Sequence, residues 1–310
     1  MKRGSRCTNK AYWRCAGSDY YCGVHSAGRR SSRTQLAKDP NAAKKRVQLY
    51  ARWKQAARNA AAHNRAHGRK GHVRCGKMAM MRAPVPDDGF LMVFPNRRHQ
   101  TRPDGFGCSA LSPMSLGPVD EHHQRDLPPA LSIENYHQFN KVFPNEVDAD
   151  SGEPLPVFFE KQLDAYRDPE PHRHKYPRAE LQRMADAGAN PNAPLYCYHL
   201  DDEGGAHHYS YLESRMFYCV WMERLAKRAD AFAELRAMRD DGYNLQVMGY
   251  DGYAVTRSVD EHFADASRPF GHELVIYCLL TIDDPAHYPW TRYYHAHRDR
   301  FPMLRELVEK

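Results

Sequence analysis

Four residues of metal-ligand type lie within the first 25 positions of the chain. They are Cys7, Cys15, Cys22 and His25, spaced as C-x7-C-x6-C-x2-H. Zinc prefers a tetrahedral set of thiolates and imidazoles, and a Cys3His set satisfies that preference. A segment this short with few aliphatic side chains cannot fold around a hydrophobic core, so metal binding would supply its folding free energy. The pattern therefore predicts a structural Zn²⁺ in a module formed by residues 1–40.

The remaining cysteines give no sign of a second metal site or of disulfides. The N-terminal module resembles short treble-clef and finger modules that end in YC-x-x-H, although its long first gap leaves the exact type open. The start, MKRGSRC, lacks the apolar stretch of a secretory signal, so an intracellular protein with reduced thiols is expected. No apolar run approaches the roughly 20 residues that span a bilayer, so no membrane partner is expected. The five other cysteines occur singly: Cys75, Cys108, Cys197, Cys219 and Cys278.

Positive charge is concentrated in the first quarter of the chain. From Met1 to Arg82 there are 21 Lys and Arg residues against two acidic residues. The rest of the chain has 24 basic and 36 acidic residues, a net charge of about −12. A block this basic indicates a polyanion partner, either DNA or RNA. The alternative is a solvated helix or a disordered basic arm that has no defined ligand.

A long helix is predicted between Asp39-Pro40-Asn41 and Gly68, because alanine and arginine dominate this segment. Residues 41–83 would thus form a basic helix or arm, and residues 84–310 the body. One edge of the helix is predicted to dock on protein through the stripe Val47, Tyr50, Trp53 and Ala57. The candidate nucleic-acid contacts of this region are Arg29, Arg30, Lys44, Lys45, Arg46, Arg52, Lys54 and Arg58.

The body begins with recognisable local patterns. The dense apolar run FLMVF (90–94) predicts a buried strand. The segment SIENYHQFNKVF (132–143) has a helical pattern that Ser132 can cap. Four polar residues of that helix share one stripe, which on most helices is only the solvated face. They are Glu134, His137, Gln138 and Lys141.

The C-terminal third contains two further helices and a strand. Ser210 and Glu213 form a capping box before what is predicted to be the longest helix, which Gly242 ends. NLQVM (244–248) predicts a strand, and PFGHELVIYCLLTI (269–282) is apolar enough for a buried helix. After the strand, Asp251 stands between two glycines. That position suits either a site residue or a hairpin turn.

The proline-rich segment 144–208 is predicted to be largely irregular. It contains His172 and His174, and later His207 and His208. Histidines in such loops are mostly surface polar groups or phosphate contacts, so no metal is assigned to them.

In this order the pieces look like the NADAR family, named for its association with NAD and ADP-ribose. The family's "LSNF" segment, its "vEhyyQa-K" helix, its Asp-containing turn and its "G-N-x-L-G-x-x-L-M" helix have short counterparts here. The likeness covers about residues 90–285 and is strongest to divergent members from large DNA viruses and phages. Such viral proteins carry basic, cysteine-bearing N-termini of the YCGVHS type. The counterparts are LSPM (111–114), IENYHQFNK (133–141), YDGY (250–253) and PFGHELVIYCLL (269–280).

The resemblance implies an α+β, predominantly helical body with a few short strands, and hydrolysis of an N-glycosidic bond between a ribose and a base or amine. It makes Glu134 the key carboxylate, with Lys141 and Asp251 as catalytic neighbours. His137, Tyr250 and Tyr253 become candidate substrate-binding residues around an ADP-ribose-like ligand. Family members usually have "D-x-x-W-G" where this chain has Asp251-Gly252-Tyr253, so the stacking tryptophan is absent.

Two functions from different classes follow. The first is a hydrolase of ADP-ribosyl or related N-glycosides, delivered to nucleic acid by the basic N-terminus. The second is a non-enzymatic, zinc-containing nucleic-acid-binding protein of a large DNA virus, packaged in the virion, whose body is only a scaffold. Pocket geometry discriminates them, because an enzyme needs Glu134 and Asp251 on one cleft. A scaffold would let Glu134 face open solvent.

Overall fold

The computed structural model of the chain describes residues 41–80, 82–119, 127–174, 193–201 and 203–309, together with Leu181, Arg183 and Asp186. Of residues 1–40, it describes the backbone of three short strands: β1 (Trp13–Cys15), β2 (Tyr20–Tyr21) and β3 (Arg33–Gln35). These strands form an antiparallel sheet in the order β2-β1-β3. The described fold is mixed, with about 49% helix and 14% strand.

A four-stranded parallel sheet forms the centre of the body. Its strands are β4 (Val73–Lys77), β5 (Phe90–Phe94), β6 (Phe106–Gly107) and β10 (Asn244–Gly249), in the order β4-β10-β5-β6. Every pair in this sheet is parallel. The predicted strands 90–94 and 244–248 are confirmed. The hairpin reading of Asp251 is wrong, because β10 has parallel neighbours on both sides.

The two faces of this sheet pack against different layers, as alternating side chains require. On one face, Met92 and Met248 join Phe94 and Met78 in a cluster against Trp53. On the other face, Val93 and Val247 belong to the main hydrophobic core. The helices that supply this core include α4 (Tyr211–Arg228), α7 (His272–Thr281) and α8 (Pro289–Ala296).

The first helix, α1 (Ala42–Ala66), ends close to the predicted position. It covers the face of the sheet that carries Met92 and Met248. Ala57 and Ala61 are fully buried, whereas Val47 is 67% exposed, so the predicted apolar stripe docks only in its C-terminal half. The predicted boundary between an arm (41–83) and a body (84–310) is also wrong. Strand β4 pairs with β10 inside the central sheet, and α1 packs on the same sheet.

The predicted helix over residues 132–143 is shorter than expected. Ser132 caps it as predicted by accepting a hydrogen bond from the Asn135 N–H (3.1 Å), but α2 covers only Ile133–Phe139. Lys141 lies instead in β7 (Lys141–Val142). This strand pairs with β8 (Tyr196–Leu200), which pairs in turn with β9 (Ala206–Tyr209), so a partner distant in the sequence ends the helix.

The predicted long helix after Ser210 is two helices. The capping box with Glu213 is confirmed, and Gly242 ends the segment with a φ of 88°. However, α4 stops at Arg228 and α5 (Asp230–Asp240) starts after Ala229, which is extended. No proline or glycine marks this break. It lets Phe232 and Leu235 of α5 join the main core.

The remaining elements complete the described body. Helix α3 (Pro156–Arg167) lies in the segment predicted to be irregular and packs on α2. Helices α6 (Val259–Ala264) and α9 (Arg305–Val308) are short, and the predicted buried helix over 269–282 is confirmed as α7. None of the helices in the described ranges is both long and apolar enough to cross a bilayer.

Candidate functional site

A cleft of about 660 Å³ opens at the carboxyl edge of the parallel sheet. Its walls come from the loops that follow β5 and β10, from α2, from α4 and from the N-terminus of α7. Five predicted site residues line it: Glu134, His137, Lys141, Tyr250 and Asp251. The polar stripe of α2 is therefore not a solvated face, because the other walls cover it.

Glu134 is the buried carboxylate of this cleft, with only 7% of its surface exposed. Gln138 Nε2 donates to Glu134 Oε1 over 3.2 Å, and Arg173 Nε lies 3.6 Å from the same oxygen. Burial raises the pKa of Glu134, although Arg173 and Lys141 oppose that shift. The site thus holds a carboxylate whose charge is costly without a cationic partner.

Lys141 approaches Glu134 through Gln138, since its Nζ donates to Gln138 Oε1 over 3.3 Å. Burial lowers the pKa of Lys141. A lysine of lowered pKa gives up its proton more readily than an exposed one, which suits a proton donor. Burial also places the pKa of His137 well below its usual value, and the Lys141 charge adds to this effect. His137 is therefore a neutral imidazole at neutral pH.

Tyr218 of α4 shows that the acidic groups of the cleft converge. This residue is 8% exposed, and its ring centre lies 4.9 Å from that of His137. Burial raises the pKa of Tyr218 far above its usual value, and the charges of Glu273, Glu134 and Asp251 raise it further. Carboxylates from α2, from the loop after β10 and from α7 thus act on one phenol.

Of the two tyrosines predicted to bind substrate, one lines the cleft and the other does not. Tyr250 is 43% exposed, lines the cleft and has its ring centre 6.0 Å from that of His99. Tyr253 is not among the lining residues. Its ring lies near His262 (5.2 Å between centres) and below the Arg268 guanidinium (5.6 Å). Tyr250 is therefore the aromatic residue of this turn that can face a ligand.

Asn135 positions one wall of the cleft although it does not line it. Its Nδ2 donates to the carbonyls of Ala165, Asp168 and Glu170 over 2.9 to 3.1 Å. Its Oδ1 accepts from the His172 N–H over 2.7 Å. These four bonds fix the chain that leaves α3 and carries Arg173 to Glu134.

We expect Asn135→Ala to lower the free energy of unfolding by about 3 kcal/mol, since a buried side chain and four buried or partly buried hydrogen bonds to backbone are lost. Chemical denaturation with a fluorescence or circular dichroism readout measures this change. Asn59→Ala, on the exposed face of α1, should change stability by less than about 0.5 kcal/mol. Equal effects of the two substitutions would show that the Asn135 bonds do not hold the loop.

Cationic side chains surround the mouth of the cleft. Arg97 and Arg98 follow β5, and Arg173 and Arg215 line other parts of the cleft. Arg97 pairs with Glu170 (3.0 Å), while Arg215 is buried and donates to backbone carbonyls, including that of Phe263 (2.6 Å). Guanidinium groups at a cleft mouth suit phosphate oxygens. The sequence alone did not place these arginines at a cleft, because nothing local separates them from other surface arginines.

Two more residues that the sequence analysis missed are His272 and Glu273, at the start of α7. Both line the cleft. An acidic residue in the first turn of an apolar helix is usually explained by its favourable interaction with the helix dipole. The sequence pattern therefore gives no indication of a further role. Only the fold shows that the turn faces Glu134 and Tyr218.

The N-terminal predictions can be placed only in part. The predicted zinc ligands Cys7, Cys15, Cys22 and His25, and the predicted contacts Arg29 and Arg30, lie outside the residues whose side chains the structure describes. Elsewhere, within the described ranges, no group of three or more His, Cys, Asp or Glu could hold a metal ion. His172 and His207 face Asp168 and Asp201, while His174 is buried against Glu146.

The basic half of α1 extends toward the same edge of the sheet as the cleft. Near its C-terminus, Asn64 bonds to the Gly242 carbonyl (2.8 Å), before β10 begins. Trp53 packs near the carboxyl ends of the strands, against Phe94 and Met248. The helix thus runs opposite to the strands, and Ala42 lies roughly 17 Å further along. The cations of this half are Lys44, Lys45, Arg46, Arg52 and Lys54, all but Lys54 exposed; the predicted contact Arg58 is exposed in the C-terminal half.

Comparisons of the chain with protein-family models, with curated proteins and with solved structures found no match. Function must therefore be inferred from the residues of the cleft and from the charge around it.

Proposed function

We propose that the protein hydrolyses the N-glycosidic bond of an ADP-ribosyl or related ribosyl adduct, and that the basic N-terminal region brings the adduct in on nucleic acid. The observation that carries the proposal is the buried carboxylate of Glu134 in a cleft that Asp251 also lines. Cleavage of a ribosyl C–N bond passes through a transition state like an oxocarbenium ion, which a nearby carboxylate stabilises. The resemblance of segments 111–114, 133–141 and 250–253 to the NADAR family supports the same chemistry.

Each group of the cleft has a role in this reaction. Ionised Glu134 stabilises the positive charge that develops on the ribose. The Lys141 ammonium, whose pKa burial lowers, donates a proton to the departing nitrogen. Asp251, on the exposed rim, accepts hydrogen bonds from the ribose hydroxyls or from the attacking water. Tyr250 offers a face for the base, and the arginines at the mouth bind the diphosphate.

The basic half of α1 favours a polymeric substrate. It extends past the edge at which the cleft opens, so a strand bound along α1 passes close to the mouth. The acidic remainder of the chain repels nucleic acid, which leaves this helix and residues 1–40 as the attachment region. The exposed charge on α1 equally suits the second function, a nucleic-acid-binding protein without catalysis.

Turnover of a panel of adducts decides between these two functions. The purified chain is incubated with ADP-ribosylated DNA, ADP-ribosylated RNA and free nucleotides, and the products are read by mass spectrometry. The proposal expects a released base or ADP-ribose from at least one substrate. Tight binding to nucleic acid with every adduct intact would favour the non-enzymatic function.

We also propose that one structural Zn²⁺ binds Cys7, Cys15, Cys22 and His25. The backbone pairing of Trp13 with Tyr21 brings the strand that contains Cys15 beside the strand that precedes Cys22. This arrangement suits a site that staples a small sheet. Among the described side chains, the other cysteines are buried and belong to no group of three or more residues that could hold a metal ion.

Metal analysis of the full-length chain should find one zinc per molecule. Cys22→Ser should remove most of it, and removal should destabilise the N-terminal region because metal binding supplies its folding free energy. Cys108→Ser, at a buried cysteine of the body, is the matched control and should keep the metal. A wild-type chain without stoichiometric zinc would reject the site.

A further inference from the structure

Glu273 is a buried carboxylate that the roles above do not use. It is the second residue of α7, has 1% of its surface exposed and lines the cleft. Within the described part of the chain, its Oε2 has no hydrogen-bond partner. A buried carboxylate oxygen without a donor costs free energy, so its retention at the wall of a cleft points to a function.

Two glycines make room for this carboxylate. A Cβ on Gly249, the last residue of β10, would lie 1.4 Å from Glu273 Oε1. A Cβ on Gly271 would lie 2.5 Å from Glu273 Oε2. The end of the central strand and the turn before α7 thus form a cradle that any larger residue would fill. The carboxylate is held against the floor of the cleft and not in solvent.

The neighbour of this carboxylate is the imidazole of His272. His272 Nδ1 lies 3.5 Å from Glu273 Oε2, and its side chain is 13% exposed. The second ring nitrogen, Nε2, is buried and has no hydrogen-bond partner among the described residues. A small rotation of the ring closes the 3.5 Å gap to a hydrogen bond, as catalytic pairs commonly do when ligand binds. The same rotation would have to turn Nε2, which is buried in this structure, toward the cleft. The new bond would then place the proton on Nδ1 and leave Nε2 as a base.

We propose that Glu273 orients His272 as the general base that activates the attacking water; this inference rests on the proposed hydrolysis. Water attacks the ribose carbon through its oxygen while the C–N bond breaks and its electron pair leaves with the nitrogen. His272 Nε2 takes the proton that the water loses, and Lys141 supplies the proton that the departing nitrogen gains. After product release His272 gives its proton to solvent and Lys141 takes one up, so both groups return to their starting states. The reaction therefore balances without another reactant.

The charged surroundings of His272 come from every wall of the cleft. Its own helix supplies Glu273, and the ring also lies within electrostatic reach of Glu134. The other charged or titratable groups that line the cleft are Arg97, Arg98, His99, His137, Lys141, Arg173, Tyr211, Arg215, Tyr218, Tyr250 and Asp251. The group that lies 3.5 Å from His272 Nδ1 is the buried carboxylate of Glu273.

Rescue of a truncated base tests the proposal. His272→Ala should lower kcat by about 10²-fold or more, and added imidazole should restore part of the rate because it can occupy the vacated space. Glu134→Ala provides the matched control, since imidazole cannot replace a carboxylate and should not restore it. Loss of activity in His272→Ala without any rescue, at concentrations up to the solubility of imidazole, would overturn the role as base.

The ring tautomer provides a readout that does not depend on turnover. In ¹⁵N spectra of the full chain above pH 8, with His272→Gln used for assignment, the His272 ring should carry its proton on Nδ1. Glu273→Gln and Gly249→Ala should both weaken this preference. An unchanged tautomer would overturn the pairing while turnover by the wild type upheld the proposed function. No turnover of any adduct, with the tautomer as expected, would instead reject the hydrolysis and, with it, the role as base.

Discussion

Glu134→Gln is expected to lower kcat by about 10²- to 10³-fold while the melting temperature stays nearly unchanged. The substitution keeps the shape of the side chain and removes its charge, so the transition state loses its electrostatic partner. Stability is spared because burial already disfavours the charge, as the raised pKa of Glu134 indicates. Steady-state kinetics together with thermal denaturation measures both quantities.

The matched control is Glu160→Gln, at an exposed position of α3 outside the cleft, which should leave kcat unchanged. The pH profile gives a second check. Because the ionised form of Glu134 is the active one and its pKa lies above the usual 4.5, the wild-type rate should fall as the pH drops through that raised pKa. Full turnover by Glu134→Gln would reject the assignment.

Binding of nucleic acid should weaken about 10³-fold or more when salt rises from 50 to 200 mM. Each phosphate that the basic region neutralises releases counterions, so six or more contacts give a steep dependence. Little preference for sequence is expected, because phosphate contacts carry no base information. Fluorescence anisotropy with a labelled oligonucleotide at several salt concentrations gives the slope.

Replacement of Lys44, Lys45 and Arg46 by glutamine should reduce that slope by roughly two to three. The control removes the same charge elsewhere, through Arg236, Arg298 and Arg305, which are exposed on other parts of the body. It should leave the slope nearly unchanged. A flat salt dependence of the wild type, or equal effects of both triple variants, would contradict the role of α1.

Local patterns predicted the elements whose signals are strong and self-contained. The run 90–94 could only be a buried strand, and the caps at Ser132 and Ser210 formed as their side chains dictate. Strand β4, with the sequence VRCGK, carries no such signal, and its place in the sheet depends on β10 about 170 residues later. Helix α3 begins with Pro156, which suits a first helical turn but also reads as a loop residue.

Residues of the candidate site could be predicted from the sequence only where several of them lie in one short segment. Glu134, His137 and Lys141 are close in the sequence, and they do line one cleft. Their burial could not be predicted, because the cover comes from α4, α7 and two loops. Glu273 and His272 were missed for the same physical reason. The Glu273 carboxylate is identified as a candidate because Gly249 and Gly271 leave room for it at the cleft, and only the fold brings these glycines next to it.

Hydrolysis in H₂¹⁸O tests the central claim most directly. The full-length chain is given an ADP-ribosylated nucleic acid in labelled water, and both products are weighed by mass spectrometry. Hydrolysis of the N-glycosidic bond predicts one ¹⁸O on the released ribose-containing product and an unmodified, unlabelled base on the nucleic acid. Label in a phosphate, or intact adduct after prolonged incubation with wild-type protein, would contradict the claim that Glu134 and its neighbours break a ribosyl C–N bond.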